Sequence, residues 1–166
     1  MKDDRYQVVE LPGYRAIGLK WEGPYKEVGE LKKVIQEMKS RVGELEEAVN
    51  SSIQLGLSYH IRSDGFRHYS VYEVTNDQTV PPGMVEVYIP KLSYVTTHHQ
   101  KEEDVGQTYH DILRFIEENH YIPYREEGIE YFDELPIKHE KYPKNQDPIN
   151  PEFEILVPVM KKMDHN

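Results

Sequence analysis

Cysteine is absent from all 166 residues, tryptophan occurs once, and no long uncharged apolar run exists. The first absence excludes disulfides, cysteine nucleophiles and thiolate metal sites. The last excludes a helical membrane span, which needs roughly 20 apolar residues. The amino-terminal MKDDRYQVV lacks the apolar stretch of a signal peptide, so the cytoplasm is the expected location and no membrane partner is expected. Basic residues are scarce too: 20 Lys and Arg stand against 30 Asp and Glu, for a formal net charge of -10. Phosphate backbones are neutralised by Lys and Arg, so direct binding of nucleic acid is not expected. An acidic field suits a cationic ligand or a basic protein surface, although solubility alone accounts for much of it.

Catalytic and metal signatures are missing as well. No serine sits in a nucleophile-elbow context, and no glycine-rich loop is built to cradle phosphate. His98 and His99 are neighbours on a strand and point to opposite faces, which prevents them from sharing a metal. His60, Asp64 and His68 span one hairpin, but their spacing matches no metal signature. No cofactor and no metal are expected.

What the chain does have is an internal duplication. Tyr14–Met38 and Lys91–Phe115 both run from an extended segment into a helix, in nearly constant register. Val28-Gly29 matches Val105-Gly106, Ile35 matches Ile112, and Met38 matches Phe115. Such self-similarity fixes architecture before any single motif does. In the first copy, Arg15, Ile17, Leu19 and Trp21 share one strand face, and Gly23-Pro24 marks the start of a helix. Val28, Leu31, Val34, Ile35, Met38, Val42 and Leu45 form its apolar stripe. Ile53–Ile61 and His68–Asn76 read as a hairpin around Ser63-Asp64-Gly65. In the second copy, strand material at Met84–Pro90 and Ser93–His99 precedes a helix from about Asp104, a good capping residue, to Asn119. Ile129–Leu135 and Phe153–Val159 read as its closing strands, with His139–Glu152 as a proline-bearing loop between them and a frayed tail after them. The expectation is one α+β domain over residues 1–166, its halves covering about 1–80 and 81–160. The two pseudo-symmetric strand–helix–strand–strand halves form a curved, mainly antiparallel sheet with two main helices packed on one face. Each half alone is too small to be more than marginal.

Two strands carry an intrusive glutamate: Glu130 in GIEYFDELP and Glu154 in FEILVPV. Buried carboxylates need solvent or a cationic partner. Phe153, Ile155, Val157 and Val159 form a helix-facing row, which turns Glu154 and Leu156 away from the helices. Alternation places Glu130 and Phe132 together on one face of their strand. A close carboxylate pair raises one apparent pKa or recruits a cation; two glutamates facing water on an open sheet is the other reading of the same pattern. The chain holds 13 Tyr and 4 Phe, and aromatic rings around a carboxylate suit an organic cation. Trp21, Tyr72, Tyr88 and Phe132 are the candidate rings, although aromatics also favour strands for their own sake.

With these residues in view, the chain resembles the GyrI-like small-molecule-binding family, also known as the bacterial transcription-activator effector-binding domain. The resemblance rests on IGLKWEGPYKEVGEL (17–31), MVEVYIPKLSYVTTHH (84–99) and the closing pair GIEYFDELP and FEILVPV. It implies a groove that binds amphipathic, often cationic, compounds, with a buried glutamate on the penultimate strand that matches Glu130. Glu154 matches the last-strand glutamate. The second copy departs from the Gly-Pro-aromatic helix start and reads Gln100-Lys101-Glu102-Glu103-Asp104 instead. No helix-turn-helix segment precedes the first strand, so a stand-alone binding or sensing module is expected. Two alternatives stand beside it. One is a hydrolase of reactive small molecules with Glu130 as general base; the other is an acidic protein inhibitor that meets a basic enzyme, as in the gyrase-interacting relatives.

Overall fold

In the computed structural model, residues 5–147 and 149–163 are described. The first strands are β1 (Gln7–Leu11) and β2 (Tyr14–Pro24), followed by a 3-10 turn and helix α1 (Gly29–Ser40). The hairpin β3 (Ile53–Arg62) and β4 (Gly65–Val74) completes the first copy. The second comprises β5 (Val85–Ile89), β6 (Leu92–His99), helix α2 (Val105–Glu118), β7 (Tyr121–Pro123), β8 (Ile137–Pro143) and β9 (Phe153–Lys161). Asp104 caps α2, its carboxylate accepting from the Gln107 N–H at 2.9 Å. The fold is thus α+β, with two pseudo-symmetric strand–helix–strand–strand units, β2-α1-β3-β4 and β6-α2-β8-β9.

All nine strands join one sheet in the order β1-β6-β9-β8-β3-β4-β2-β5, with β7 added against β9. The copies exchange their leading strands: β1 pairs antiparallel with β6, and β5 pairs antiparallel with β2. That exchange dictates curvature. A flat sheet would hold β1 and β2 six strand spacings apart, roughly 29 Å. Only Pro12 and Gly13 connect them, a link that reaches roughly 10 Å. The sheet therefore curls until the two crossovers meet. A Cβ on Gly13 would lie 2.8 Å from the Ile89 carbonyl oxygen, so that crossing has room only for glycine.

Both helices cover the same face. α1 buries Leu31 and Met38 against Ile17, Leu19, Trp21 and Tyr72. α2 buries Ile112 and Ile116 against Val95, Phe153, Ile155, Val157 and Val159. The helix-facing rows read from the sequence are therefore the observed ones, except that Val28 precedes α1 and is exposed. The opposite face of the sheet has its own apolar floor of Ala16, Leu55, Leu57, Val71 and Ile89.

The largest correction lies between α2 and β9. Ile129–Leu135, expected as a strand, is irregular, and the strand is Ile137–Pro143, which runs into the segment His139–Glu152 expected as a loop. Gly128 turns the chain at φ +81° just before the expected strand. Beyond it, the Leu135 N–H is satisfied locally by the Asp133 carboxylate at 2.8 Å. The edge of β3 instead takes Ile137–Pro143 in continuous antiparallel register. Charged residues in KHEKYP hide this strand: Lys138 and Glu140 find partners on its helix-facing side, and Lys141 opens on the other. The end of β9 also differs: Met160 and Lys161 pair with β7 rather than fraying.

Candidate functional site

The concave face opposite the helices carries a groove along the seam between the two copies. A cavity of about 490 Å3 is lined by Ile53, Leu55, Glu73, His98, Lys141 and Glu154 among others. A second, of about 180 Å3, shares Leu55, Glu73 and Lys141 with it and runs on to Tyr14, Tyr94 and His139. The shared residues make the two one continuous concavity.

Register explains which side chains arrive there. Strand residues alternate between faces, and the ladder lines up His98, Glu154, Lys141, Leu55 and Val71 across five strands. The next row holds Thr96, Leu156, His139, Leu57 and Tyr69. Glu73 follows Val71 by two residues on β4 and so shares its face. Leu57 is fully buried and Leu55 nearly so, while Glu73, Lys141 and Glu154 are half-buried. None of these three ionic groups has an ion pair or hydrogen bond to a described residue. His98, the cross-strand neighbour of Glu154, is engaged elsewhere, with its Nε2 2.8 Å from Glu152 Oε1.

The polar wall at the narrow end is electrically quiet. Burial pushes the Tyr94 hydroxyl up to about 12. Tyr14 is pushed up by burial first, then by Tyr94 and by the Glu73 carboxylate. His139 is 95% buried, and burial, followed by the Lys141 charge, lowers its pKa to about 3. Its imidazole is neutral at pH 7 and tilted against the Tyr94 ring, with the centroids 5.6 Å apart, and its Nε2 has no hydrogen-bond partner among the described residues.

Of the ligand-binding residues expected from the sequence, Glu154 lines the groove. The others lie elsewhere. Glu130 is exposed, not buried, because its segment is not a strand; Phe132 on the same segment is also exposed. Trp21 and Tyr72 are buried on the helix-facing side, Trp21 edge-on to Phe66 at 5.3 Å. Tyr88 stands exposed on the edge strand β5, beside a shallow depression near Tyr14 and Arg15. Sequence reasoning missed Glu73, Lys141, His139, Tyr14 and Tyr94. Glu73 had a signal, since alternation in HYSVYEV puts it on the Val71 face, away from buried Tyr72. Lys141 and His139 had none once their segment was read as a loop.

A second polar cluster lies under the helices. Tyr109 of α2 and Tyr142 of β8 both donate to the Glu140 carboxylate, which satisfies it inside the protein. Burial and that carboxylate push both hydroxyls well up. Among the described residues no group of His, Asp and Glu is arranged to hold a metal ion, and no helix is long and apolar enough to cross a membrane.

A strand-exchanged, helix-backed sheet with an apolar groove on its free face is the architecture of a small-molecule-binding domain. The chain belongs to the GyrI-like small molecule binding domain family, which matches residues 5–160. It is similar in fold to the EcmrR C-terminal domain, with a TM-score of 0.66 at 16% identity, covering 94% of this chain and 97% of that one. It is similar also to SAV2435 bound to tetraphenylphosphonium, with a TM-score of 0.63 at 14% identity and 93% of each chain covered. A hydrolase encoded by lin2189 from Listeria innocua has a TM-score of 0.60 at 12% identity, covering 94% of this chain and 92% of that one. No curated protein sequence matches the chain.

Proposed function

We propose that this protein binds hydrophobic aromatic cations in the groove, with Glu73 and Glu154 supplying the opposing charge. The observation that carries this reading is the pair of half-buried carboxylates without partners in an apolar, tyrosine-walled concavity. A carboxylate held beside apolar surface is destabilised unless something positive joins it. An aromatic cation offers both halves of the match: flat apolar area for Ile53 and Leu55, and a charge that tyrosine faces and carboxylates attract. The cavity volumes suit a drug-sized body. The fold similarity to a protein bound to tetraphenylphosphonium is consistent with such a ligand.

Isothermal titration with methyltriphenylphosphonium, and with neutral triphenylphosphine oxide as its control, tests the reading. Glu73→Gln is expected to weaken the cation about tenfold, roughly 1.4 kcal/mol, and to leave the neutral compound unchanged. Glu130→Gln, remote from the groove, is expected to change neither. Equal loss for both compounds in Glu73→Gln, or no loss, contradicts the charge role.

A further inference from the structure

We propose that the groove selects amphoteric aromatic molecules, with Lys141 binding an anionic group on the ligand while Glu73 binds its cationic group. This rests on the groove reading above and refines its substrate class. A groove built for cations alone has no use for an ammonium in its wall, yet Lys141 lines both parts of the concavity. Lys141 is not there to neutralise a neighbour. Glu154 faces it directly across the β8–β9 ladder, about 5 Å away at the backbone, and still the two side chains form no ion pair. The Lys141 charge is felt inward, where it helps to lower the pKa of buried His139.

The spacing defines the ligand. Lys141 on β8 is level with Leu55 of β3 and Val71 of β4, and Glu73 lies two residues further along β4, so the two charged positions are roughly 12 Å apart along a diagonal that passes Leu55. An apolar floor flanked by a cation and an anion complements a flat body that carries an acid at one end and an amine at the other. Matching both charges raises specificity, because a ligand with only one leaves the other wall charge desolvated and alone.

Rhodamine 110 and rhodamine 123 share one cationic xanthene body and differ only in that the first has a free carboxylate and the second its methyl ester. Fluorescence anisotropy of each dye with the wild-type protein is expected to give at least about tenfold tighter binding of the free acid. Lys141→Met is expected to remove that preference by weakening the acid and tightening the ester, which in the wild type leaves the Lys141 charge unpaired; Lys141→Gln serves the same purpose if the Met variant does not melt cooperatively. Glu73→Gln is expected to weaken both dyes. A wild-type protein that prefers the ester, or binds the two equally, overturns the proposal while leaving the groove reading intact. So does an acid preference that survives Lys141→Met. If neither dye binds a cooperatively folded wild-type protein, the proposal and the groove reading fall together.

Discussion

His139 shows how one side chain can report on the whole groove. It is buried beside Tyr94, with the Tyr59 ring 6.5 Å away and Lys141 two residues along its own strand. Its pKa is about 3 in the folded state against an ordinary 6.5. The unfolded chain therefore binds more protons between those values, and stability falls as pH drops through that window. The contribution is complete above about pH 6.5. His60 and His68, both lowered to about 4 by burial, act in the same direction. Urea unfolding between pH 6.5 and 5.5, above most of the carboxylate titration, is expected to show declining stability. His139→Leu removes one of the three contributions and also an orphaned buried nitrogen. Its stability is expected to vary less steeply with pH over that window; a slope equal to that of wild type contradicts the assignment.

At the scale of elements, β2 tolerates little change. It is paired on both sides, with β4 and with β5. Where Gly18 meets β4, a Cβ would lie 2.0 Å from the Ser70 carbonyl oxygen and 2.7 Å from the Val71 Cα. Both obstacles are backbone, so the ladder itself must open. Gly18→Ala is expected to cost ~3 kcal/mol, the upper end of overpacking penalties, measured as a shift in the denaturant midpoint at constant slope. A variant as stable as wild type would show that β2 and β4 approach less closely. The same scale shows what the sequence could and could not reveal. Helix stripes and the row Phe153, Ile155, Val157, Val159 were legible because one face of each packs on a single apolar partner. Glu154 was legible as the odd residue on the other face. β8 was not legible, because Lys138, Glu140 and Tyr142 find polar or aromatic partners under α2, so the strand lacks apolar alternation. Ile129–Leu135 shows the reverse: its alternation is good, but with Gly128 turning the chain before it, it lies outside the ladder. Losing β8 from the reading also lost Lys141 and His139.

For the whole molecule, curvature is the property that creates a site. Strand exchange forces the sheet to curl, and curling brings carboxylates from β4 and β9, which belong to different copies, to one apolar concavity. The duplication was visible in the sequence; the exchange was not, since it depends on which edge each leading strand chooses. The absence of cysteine from the chain allows a direct test of where a ligand sits. Val49 is 56% exposed on the groove rim, and Lys33 is exposed on α1 on the far side of the sheet. A bimane fluorophore is attached to Val49→Cys in one protein and to Lys33→Cys in another, and both are titrated with methyltriphenylphosphonium. A saturable change in emission at position 49, with none at 33, is the expected result; a response at 33 alone, or at neither, contradicts a ligand site in the groove.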